Sequence, residues 1–308
     1  KRQIVEILRV LATDPSIIIL DEATSALTEN RVVWLLGLAR KLAEAGKIVI
    51  FISHRMSEIR NACDRVTILR NGSSVATLGM EDVDIDEVGS WSNLLEADKQ
   101  KRRANLAKVT EGLALAEEIG ARCCVVIAGS RHPEIWYGPH PDNLSDDFFD
   151  AVVENARKIV DAVKPKAAKF AYEMMGWALP DSADSYLAMI KAVDRDGFAV
   201  HLDPCNAINS PARFYRNTEL LNECFDKLGP WIVSCHAKDV TWDVEMQVHF
   251  REVVLGTGSL DYKTYLKRLA AIPADVPLMI EHMKNAEEYD RSREYVVQVG
   301  KEIGVAFE

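Results

Sequence analysis

The amino-acid sequence predicts an α/β fold in which parallel strands alternate with amphipathic helices. Two observations lead to this prediction. Short apolar runs recur along the chain and are separated by longer segments of helical periodicity, which is the pattern of repeated strand–helix units. Most of these runs are apolar from end to end and stop at an acid or a histidine, as expected for strands that are buried on both faces and carry polar groups at their carboxyl ends.

Composition limits the classes of protein to which the chain can belong. With 308 residues, 48% of them hydrophobic, it can form one large barrel or two domains with a substantial core. The net charge of −10 argues against a nucleic-acid partner, and no apolar stretch approaches the roughly 20 residues that span a bilayer. The six cysteines form no CxxC pair, so we expect reduced thiols and a cytoplasmic location.

The first 85 residues predict a small α/β unit of their own. An amphipathic helix is expected over residues 2–12, because its apolar residues recur at intervals of three and four. Two apolar runs, Ile17–Leu20 and Ile48–Ile52, predict strands buried on both faces, with a helix between them. A β-hairpin that turns at Asn71-Gly72 is expected to follow.

This stretch resembles the ATP-binding subunits of ABC-type sugar importers, and three segments carry the resemblance. They are Leu20-Asp21-Glu22-Ala23-Thr24 as the Walker B strand, Ser25-Ala26-Leu27-Thr28 as the D-loop, and Ile52-Ser53-His54-Arg55 as the His switch. The resemblance implies that Asp21 would hold the water shell of Mg²⁺, Glu22 would polarise the attacking water and His54 would sense the γ-phosphate of ATP.

Other parts of such an ATPase do not occur in the sequence. The phosphate-binding pattern G-x-x-x-x-G-K-[ST] is absent, and Gly46-Lys47-Ile48 is its nearest approach. Without the backbone N–H groups and the lysine of this phosphate-binding loop, no group binds the triphosphate. We therefore expect residues 1–88 to be a fragment of an ABC ATPase domain, and we do not expect this fragment to hold ATP and Mg²⁺ or to hydrolyse ATP unaided.

A change in charge marks the predicted domain boundary. An acidic run from Glu81 to Glu87 is followed by a basic cluster, Lys99 to Arg103, that opens a predicted helix. A solvated helix face explains this cluster better than a nucleic-acid site does. We place the boundary at residue 88, with the second domain at residues 89–308.

The sequence of the second domain predicts about six strands of a parallel barrel. The candidate strands are residues 123–128, 168–173, 198–203, 231–236, 277–281 and 305–307, and helices are expected over residues 147–163, 182–194, 219–228, 262–271 and 286–303. Because a closed (β/α)8 barrel needs eight strands, the expected fold is an incomplete (β/α)8 barrel.

Potential metal ligands close four of these strands: Glu173, Asp203, His236 and Glu281. Parallel strands deliver the residues at their carboxyl ends to one open face of a barrel. Three carboxylates and one imidazole form a donor set suited to a divalent cation. A single carboxylate at a strand end is often only the N-cap of the next helix, but four such residues together favour a metal site.

From about residue 93 onwards the chain resembles the xylose isomerase-like TIM barrels, which include sugar phosphate isomerases and epimerases. The resemblance rests on segments in the family's order: Ala128-Gly129-Ser130, Gly138-Pro139-His140-Pro141, Tyr172-Glu173-Met174, His201-Leu202-Asp203-Pro204, Ser234-Cys235-His236-Ala237-Lys238-Asp239, Gly256-Thr257-Gly258 and Ile280-Glu281-His282. In such proteins two strands precede the Gly-Ser segment, and here the ATPase-like stretch takes their place.

This second resemblance implies roles for the four candidate ligands. Glu173, Asp203, His236 and Glu281 would bind Mn²⁺, Mg²⁺ or Co²⁺. Glu173 and Glu281 would also remove and return a proton on opposite faces of the substrate, while Asp203 and His236 would be ligands only. The substrate would be a small sugar or sugar phosphate that reacts through a metal-stabilised enediolate.

Three further residues are candidates for substrate binding: His140, Asn206 and Lys238. His140 lies in a polar loop and is equally well explained as a surface histidine. Asn206 follows Asp203 by three residues, at a position where some relatives carry a histidine. Lys238 follows His236 by two residues and suits a substrate oxygen or phosphate, although a solvated lysine explains it equally well.

The sequence thus predicts a divalent-metal-dependent sugar or sugar phosphate isomerase or epimerase, provided that the barrel is competent. The alternatives are an ATP-binding subunit of a sugar transporter and an inactive fusion product. Because a six-stranded remnant exposes unpaired strand edges, we expect it to form homo-oligomers, to aggregate or to borrow strands. In one such arrangement, strands at residues 17–21 and 48–52 would close a hybrid barrel.

Overall fold

The computed structural model describes residues 2–25, 27–53, 55–70 and 73–307. The chain forms two compact units, Lys1–Ile85 and Asp86–Glu308. Asp86, Glu87 and Val88, which lie before the boundary expected from the sequence, therefore belong to the second unit. No helix in the described ranges is both long enough and apolar enough to cross a bilayer.

The first unit contains two small sheets and three helices within its described residues. In chain order its elements are α1 (Arg2–Leu11), β1 (Ile17–Asp21), α2 (Glu29–Glu44), β2 (Ile48–Ile52), α3 (Met56–Ala62), β3 (Arg65–Arg70) and β4 (Ser73–Gly79), with a 3-10 turn at Met80–Asp82. β1 and β2 pair in parallel, and β3 and β4 form the expected antiparallel hairpin. The expected turn residues, Asn71 and Gly72, lie outside the described residues.

Within the described part of the first unit, helices cover one face of the β1–β2 sheet. Ile18 and Leu20 are buried against α1 and α2, whereas Ile17, Ile19 and the three isoleucines of β2 are exposed. The expectation that these strands are buried on both faces is therefore wrong. The reason is that both helices that pack on this sheet lie on the same side of it.

The second unit is a sheet of six parallel strands with helices between them. Its elements are β5 (Glu87–Gly89), α4 (Lys99–Ile119), β6 (Cys123–Ile127), α5 (Asp146–Val163), β7 (Lys169–Glu173), α6 (Ala183–Val193), β8 (Phe198–Leu202), α7 (Pro211–Tyr215), α8 (Asn217–Leu228), β9 (Ile232–Ala237), β10 (Asp239–Asp243), β11 (His249–Val253), α9 (Tyr262–Ala270), β12 (Leu278–Ile280) and α10 (Ala286–Ile303). The strand order is β5-β6-β7-β8-β9-β12, and every neighbouring pair is parallel. This sheet is the one expected of an incomplete (β/α)8 barrel.

The sixth strand differs from the one that the sequence predicts. A strand at residues 305–307 is wrong, because the chain folds back on α10 after a left-handed Gly304. There the Val305 N–H donates to the Gly300 carbonyl at 2.9 Å, and the Phe307 ring lies against Gly300. The sixth strand is β5, which begins at Glu87, the last residue of the acidic run. Three residues carry too little periodicity to be recognised as a strand.

The two units keep separate sheets. β1 and β2 bond to each other, and neither joins the six-stranded sheet. The hybrid barrel is therefore wrong for the described residues. β5 and β12 are left as the two edge strands, so oligomer formation or strand borrowing stays a prediction.

Candidate metal centre

The four predicted ligands meet at the carboxyl-terminal edge of the six-stranded sheet. Glu173 is the last residue of β7, Asp203 and Glu281 directly follow β8 and β12, and His236 is the next-to-last residue of β9. One ligand atom from each residue lies within 4.8 Å of the other three. Because these four strands are parallel neighbours, their carboxyl ends lie side by side and bring the ligands together.

His236 faces all three carboxylates of this cluster. Its Nδ1 is 3.1 Å from Glu281 Oε2, 3.2 Å from Glu173 Oε1 and 3.7 Å from Asp203 Oδ2. The buried Tyr265 hydroxyl donates to the His236 carbonyl at 2.9 Å. A tyrosine of α9 thereby fixes the backbone that carries the imidazole.

Asp203 divides its two oxygens between the fold and the site. Oδ1 accepts from the N–H groups of Cys205 at 3.0 Å and Asn206 at 3.2 Å, so it caps the turn that follows β8. Neither Oδ2 nor Glu281 Oε2 has a hydrogen-bond donor of good geometry among the described residues, although both are buried. A buried carboxylate oxygen that lacks a hydrogen-bond donor is suited to bind a cation. Asp203 can therefore cap the turn with Oδ1 and bind a cation with Oδ2.

Lys238 is part of the site. It is 2% exposed, and its Nζ lies 2.9 Å from Asp203 Oδ2, 3.0 Å from Glu281 Oε2 and 3.5 Å from Glu173 Oε1. Burial opposes the positive charge, but the three carboxylates raise the pKa of the Lys238 ammonium well above its ordinary value. The alternative of a solvated lysine is therefore wrong.

Asn206 connects two of these charged groups. Its Nδ2 donates to Glu173 Oε1 at 3.0 Å and to the Met174 carbonyl at 3.0 Å, while its Oδ1 accepts from Lys238 Nζ at 3.2 Å. The amide thereby orients a carboxylate and an ammonium at once. Contact with a substrate stays a prediction for Asn206 and Lys238.

The other predicted site residues lie elsewhere or outside the described residues. His140 caps the 3-10 turn Pro141–Leu144, where its Nδ1 accepts from the Asp142 N–H at 3.3 Å. Its role toward a substrate stays a prediction. In the first unit, Asp21 ends β1 with an exposed side chain and Glu22 follows it, whereas His54 is not among the described residues.

The three carboxyl groups differ in their affinity for protons. Burial raises the pKa of Glu173 from 4.5 to about 7, against the effect of its hydrogen bond with His236. Burial acts on Asp203 and Glu281 too, but there Lys238 and His236 outweigh it. They hold the pKa of Asp203 far below its ordinary value and that of Glu281 at about 2. A carboxyl that exchanges its proton near neutrality beside two ionised ones is a pattern suited to acid–base chemistry.

We expect the affinity for Mn²⁺ to rise as the pH is raised from about 6 to about 8. The ionised carboxylate of Glu173, whose pKa is about 7, binds a cation more tightly than the protonated acid does, so protonation weakens binding below that pH. Isothermal titration with Mn²⁺ at several pH values measures this trend, and a pH-independent affinity would contradict it.

The stability of the metal-free protein should respond to pH in the opposite direction. Between pH 4.5 and about 7 the folded state holds a proton on Glu173 that the unfolded state has released. The contribution of Glu173 to the free energy of unfolding therefore falls as the pH rises through this window. Glu173→Gln, which has no proton to release, should show a smaller decrease in thermal unfolding experiments.

Lys238→Met should destabilise the metal-free protein by about 3–5 kcal/mol, because it removes a buried counter-charge from three carboxylates. A divalent cation would supply the missing charge, so Mn²⁺ should restore more stability to this variant than to the wild type. Thermal unfolding with and without Mn²⁺ measures both effects. Lys267→Met, on the exposed side of α9, is the matched control, and equal Mn²⁺ effects in all three proteins would contradict a cation beside Lys238.

A further polar group adjoins the cluster and was not predicted from the sequence. Glu87 of β5 lies with its Oε2 3.5 Å from His236 Nε2 and 3.5 Å from His201 Nδ1. His201 is fully buried in β8, and its Nδ1 is 2.6 Å from the Ser234 hydroxyl. Glu87 could not be identified from the sequence as a site residue, because it lies in a run of acidic residues. His201 could be identified, because it lies two residues before Asp203 and therefore on the same side of its strand.

Comparison with known proteins identifies the family. The profile of the xylose isomerase-like TIM barrel family matches residues 52–298 of the 308. The chain belongs to this family. The resemblance inferred from the sequence motifs and the predicted barrel class are thereby confirmed, and the match begins at Ile52, within the first unit.

Solved structures of the xylose isomerase-like family share this fold. A xylose isomerase-like TIM barrel protein from Mycobacterium smegmatis, solved in complex with magnesium, is 18% identical with a TM-score of 0.57, covering 88% of this chain and 90% of that one. A D-tagatose 3-epimerase-like protein is 16% identical with a TM-score of 0.54, covering 94% and 88%. An L-ribulose 3-epimerase is 15% identical with a TM-score of 0.52, covering 97% and 90%. These likenesses establish the fold.

Curated relatives of this xylose isomerase-like chain match a different part of it. The ribose import ATP-binding protein of Bacillus licheniformis is 44% identical over 88 residues, which are 29% of this chain and 18% of that protein. A galactose/methyl galactoside import ATP-binding protein of Salmonella typhimurium is 43% identical over 86 residues, 28% of this chain and 17% of that protein. The resemblance to sugar-importer ATPases is confirmed, and the chain spans less than a fifth of the length of these relatives.

Proposed function

We propose that the second unit is a divalent-metal-dependent isomerase or epimerase of a small sugar or sugar phosphate. The observation that carries the proposal is the convergence of Glu173, Asp203, His236 and Glu281 at the open edge of the sheet. The sugar epimerases among the structures of similar fold support the substrate class.

The residues of the site fit a divalent cation such as Mn²⁺, Mg²⁺ or Co²⁺. Carboxylate oxygens and one imidazole nitrogen are the donors that such ions accept. The four ligands and Lys238 also carry a charge that suits a divalent cation when His236 is neutral. Three carboxylates (−3) and the ammonium of Lys238 (+1) leave a charge of −2, which one divalent cation neutralises.

The carboxyl groups of Glu173 and Glu281 are suited to move a proton on the substrate. A bound cation would act as a Lewis acid that polarises the substrate carbonyl. Glu281, whose pKa is about 2, is ionised at neutral pH and can accept the proton from the carbon next to that carbonyl. Glu173, whose pKa is about 7, can return a proton to the enediolate. Return to the same carbon from the opposite face gives an epimer, and return to the neighbouring carbon gives an isomer.

A polar cavity lies beside the site, and its lining contains none of the four proposed ligands. A cavity of about 230 Å³ has a polar lining that includes Arg251, Glu252, Thr257 and His282. Glu252 connects this cavity to the site, because its Oε1 lies 3.7 Å from Lys238 Nζ. The polar side chains of such a cavity are suited to fix the orientation of a polyhydroxylated ligand.

The alternative of an ATP-binding transport subunit has weaker support. The likeness to sugar-importer ATP-binding proteins covers 88 residues of this chain and 18% of the length of one such relative, whereas the cluster of potential metal ligands lies in the second unit. We therefore assign the proposed chemistry to residues 86–308 and regard the first unit as an ATPase-derived fragment.

Proton exchange with solvent tests the proposed function. We expect the wild-type protein loaded with Mn²⁺ to incorporate deuterium from D₂O next to the carbonyl of at least one member of a panel of ketoses and ketose phosphates, followed by proton NMR. Removal of the metal with a chelator should stop the exchange, and adding Mn²⁺ back should restore it. Absence of exchange across the panel with the fully loaded protein would contradict the proposal.

A further inference from the structure

Glu87 is a buried carboxylate that the chemistry proposed above does not use. Its side chain is 13% exposed, and its Oε2 meets no hydrogen-bond donor of good geometry among the described residues. The nitrogens nearest to Oε2 are His236 Nε2 and His201 Nδ1, both at 3.5 Å. A buried carboxylate oxygen is costly unless a donor or a positive charge lies beside it.

His201 is the weaker of the two partners for Glu87. Its Nδ1 is already engaged with the Ser234 hydroxyl at 2.6 Å. This leaves the Nε2–H of His236 as the donor for Glu87.

The two ring nitrogens of His236 then face different groups. Nδ1 faces Glu173, Asp203 and Glu281, whereas Nε2 faces Glu87. A neutral histidine can offer a lone pair from Nδ1 only if its proton is on Nε2. A carboxylate that accepts this proton fixes the tautomer and the orientation of the ring, and it raises the basicity of the ligating nitrogen.

We propose that Glu87 is a positioning residue that accepts the Nε2–H of His236 and so presents Nδ1 of that ring to a divalent cation. This inference rests on the metal-binding role proposed for His236. It gives β5 a function, since this short edge strand carries the one acceptor that faces Nε2 within the described part of the chain.

Manganese affinity and the hydrogen bond made by the Nε2–H of His236 together test the inference in the whole 308-residue chain. We expect Glu87→Ala to weaken Mn²⁺ binding by about 10–100-fold, the range found when such partners of a ligating histidine are lost. Glu87→Gln should fall between this variant and the wild type, because an amide oxygen can still accept the Nε2–H. Glu111→Gln, which removes an exposed carboxylate from α4, is the matched control and should bind Mn²⁺ as the wild type does.

Nitrogen NMR of the histidine ring supplies a readout that a purely structural role would not move. In the presence of a diamagnetic divalent cation such as Mg²⁺, the Nε2–H proton of His236 should resonate downfield in the wild type because it is hydrogen-bonded to Glu87, and this downfield shift should be lost in Glu87→Ala. If Glu87→Ala does not fold, Glu87→Met fills the same space without an acceptor and takes its place in both measurements.

The outcomes separate this inference from the function on which it rests. Wild-type Mn²⁺ affinity in the folded Glu87→Ala or Glu87→Met variant would overturn the positioning role. Two bound Mn²⁺ per chain, with one lost in these variants, would also overturn it, since Glu87 would then be a ligand. Wild-type affinity in His236→Ala would instead overturn the proposed metal site itself.

Discussion

Glu173→Gln is expected to lower the rate of proton exchange by about 10²–10⁴-fold, the usual contribution of a positioned acid or base. The substitution keeps the shape of the side chain and an oxygen that faces His236, but it removes the group whose pKa lies near 7. The affinity for Mn²⁺ should decrease by a smaller factor than the rate, because the amide oxygen remains available as a ligand. Exchange into a ketose in D₂O, measured at saturating Mn²⁺, gives the rate separately from the affinity.

Glu245→Gln is the control for this variant, because Glu245 is an exposed carboxylate beyond β10 and should not affect exchange. An exchange rate in Glu173→Gln equal to that of Glu245→Gln would contradict the acid–base role of Glu173. A loss of rate that extra Mn²⁺ fully restores would show that Glu173 serves only as a ligand.

His236→Ala should weaken Mn²⁺ binding by at least about 100-fold, since loss of a mere partner of a ligating histidine already costs about 10–100-fold. His236 is the only nitrogen donor of the proposed set, and its Nδ1 lies within 3.7 Å of all three carboxylates. Its removal also leaves these carboxylates with less positive charge nearby. The metal-free variant should therefore be less stable by about 3–5 kcal/mol.

Isothermal titration with Mn²⁺ and thermal unfolding of the metal-free protein measure the two effects of His236→Ala. His249→Ala removes an exposed histidine of β11 and serves as the control. Unchanged Mn²⁺ affinity in His236→Ala would remove the basis for the site, whatever happened to the stability.

The four ligands could be predicted because the end of a buried strand is visible in the sequence as an apolar run followed by a polar residue. Each of Glu173, Asp203, His236 and Glu281 closes an apolar run, and the topology of parallel strands then places them together. The order of the helices and of five strands followed from the same periodicity. Such a pattern can be recognised in the sequence when a helix or strand is long enough for its periodicity to repeat.

The remaining features depend on contacts between distant segments. Lys238 has the same local pattern whether it is solvated or buried, and only the carboxylates of three other strands decide in favour of burial. β5 is too short to show a period, and Glu87 is hidden by neighbouring acids. For β1 and β2 the sequence predicts burial where the structure shows exposure. Their isoleucines are apolar enough for a second packed layer, but the described residues of the first unit do not form one.

Anomalous X-ray scattering from crystals soaked in Mn²⁺ tests the proposed metal centre most directly. The account predicts one manganese peak per chain, bonded to His236 Nδ1 and to carboxylate oxygens of Glu173, Asp203 and Glu281. A peak bonded to other residues, or no peak at these four under saturating Mn²⁺, would contradict it.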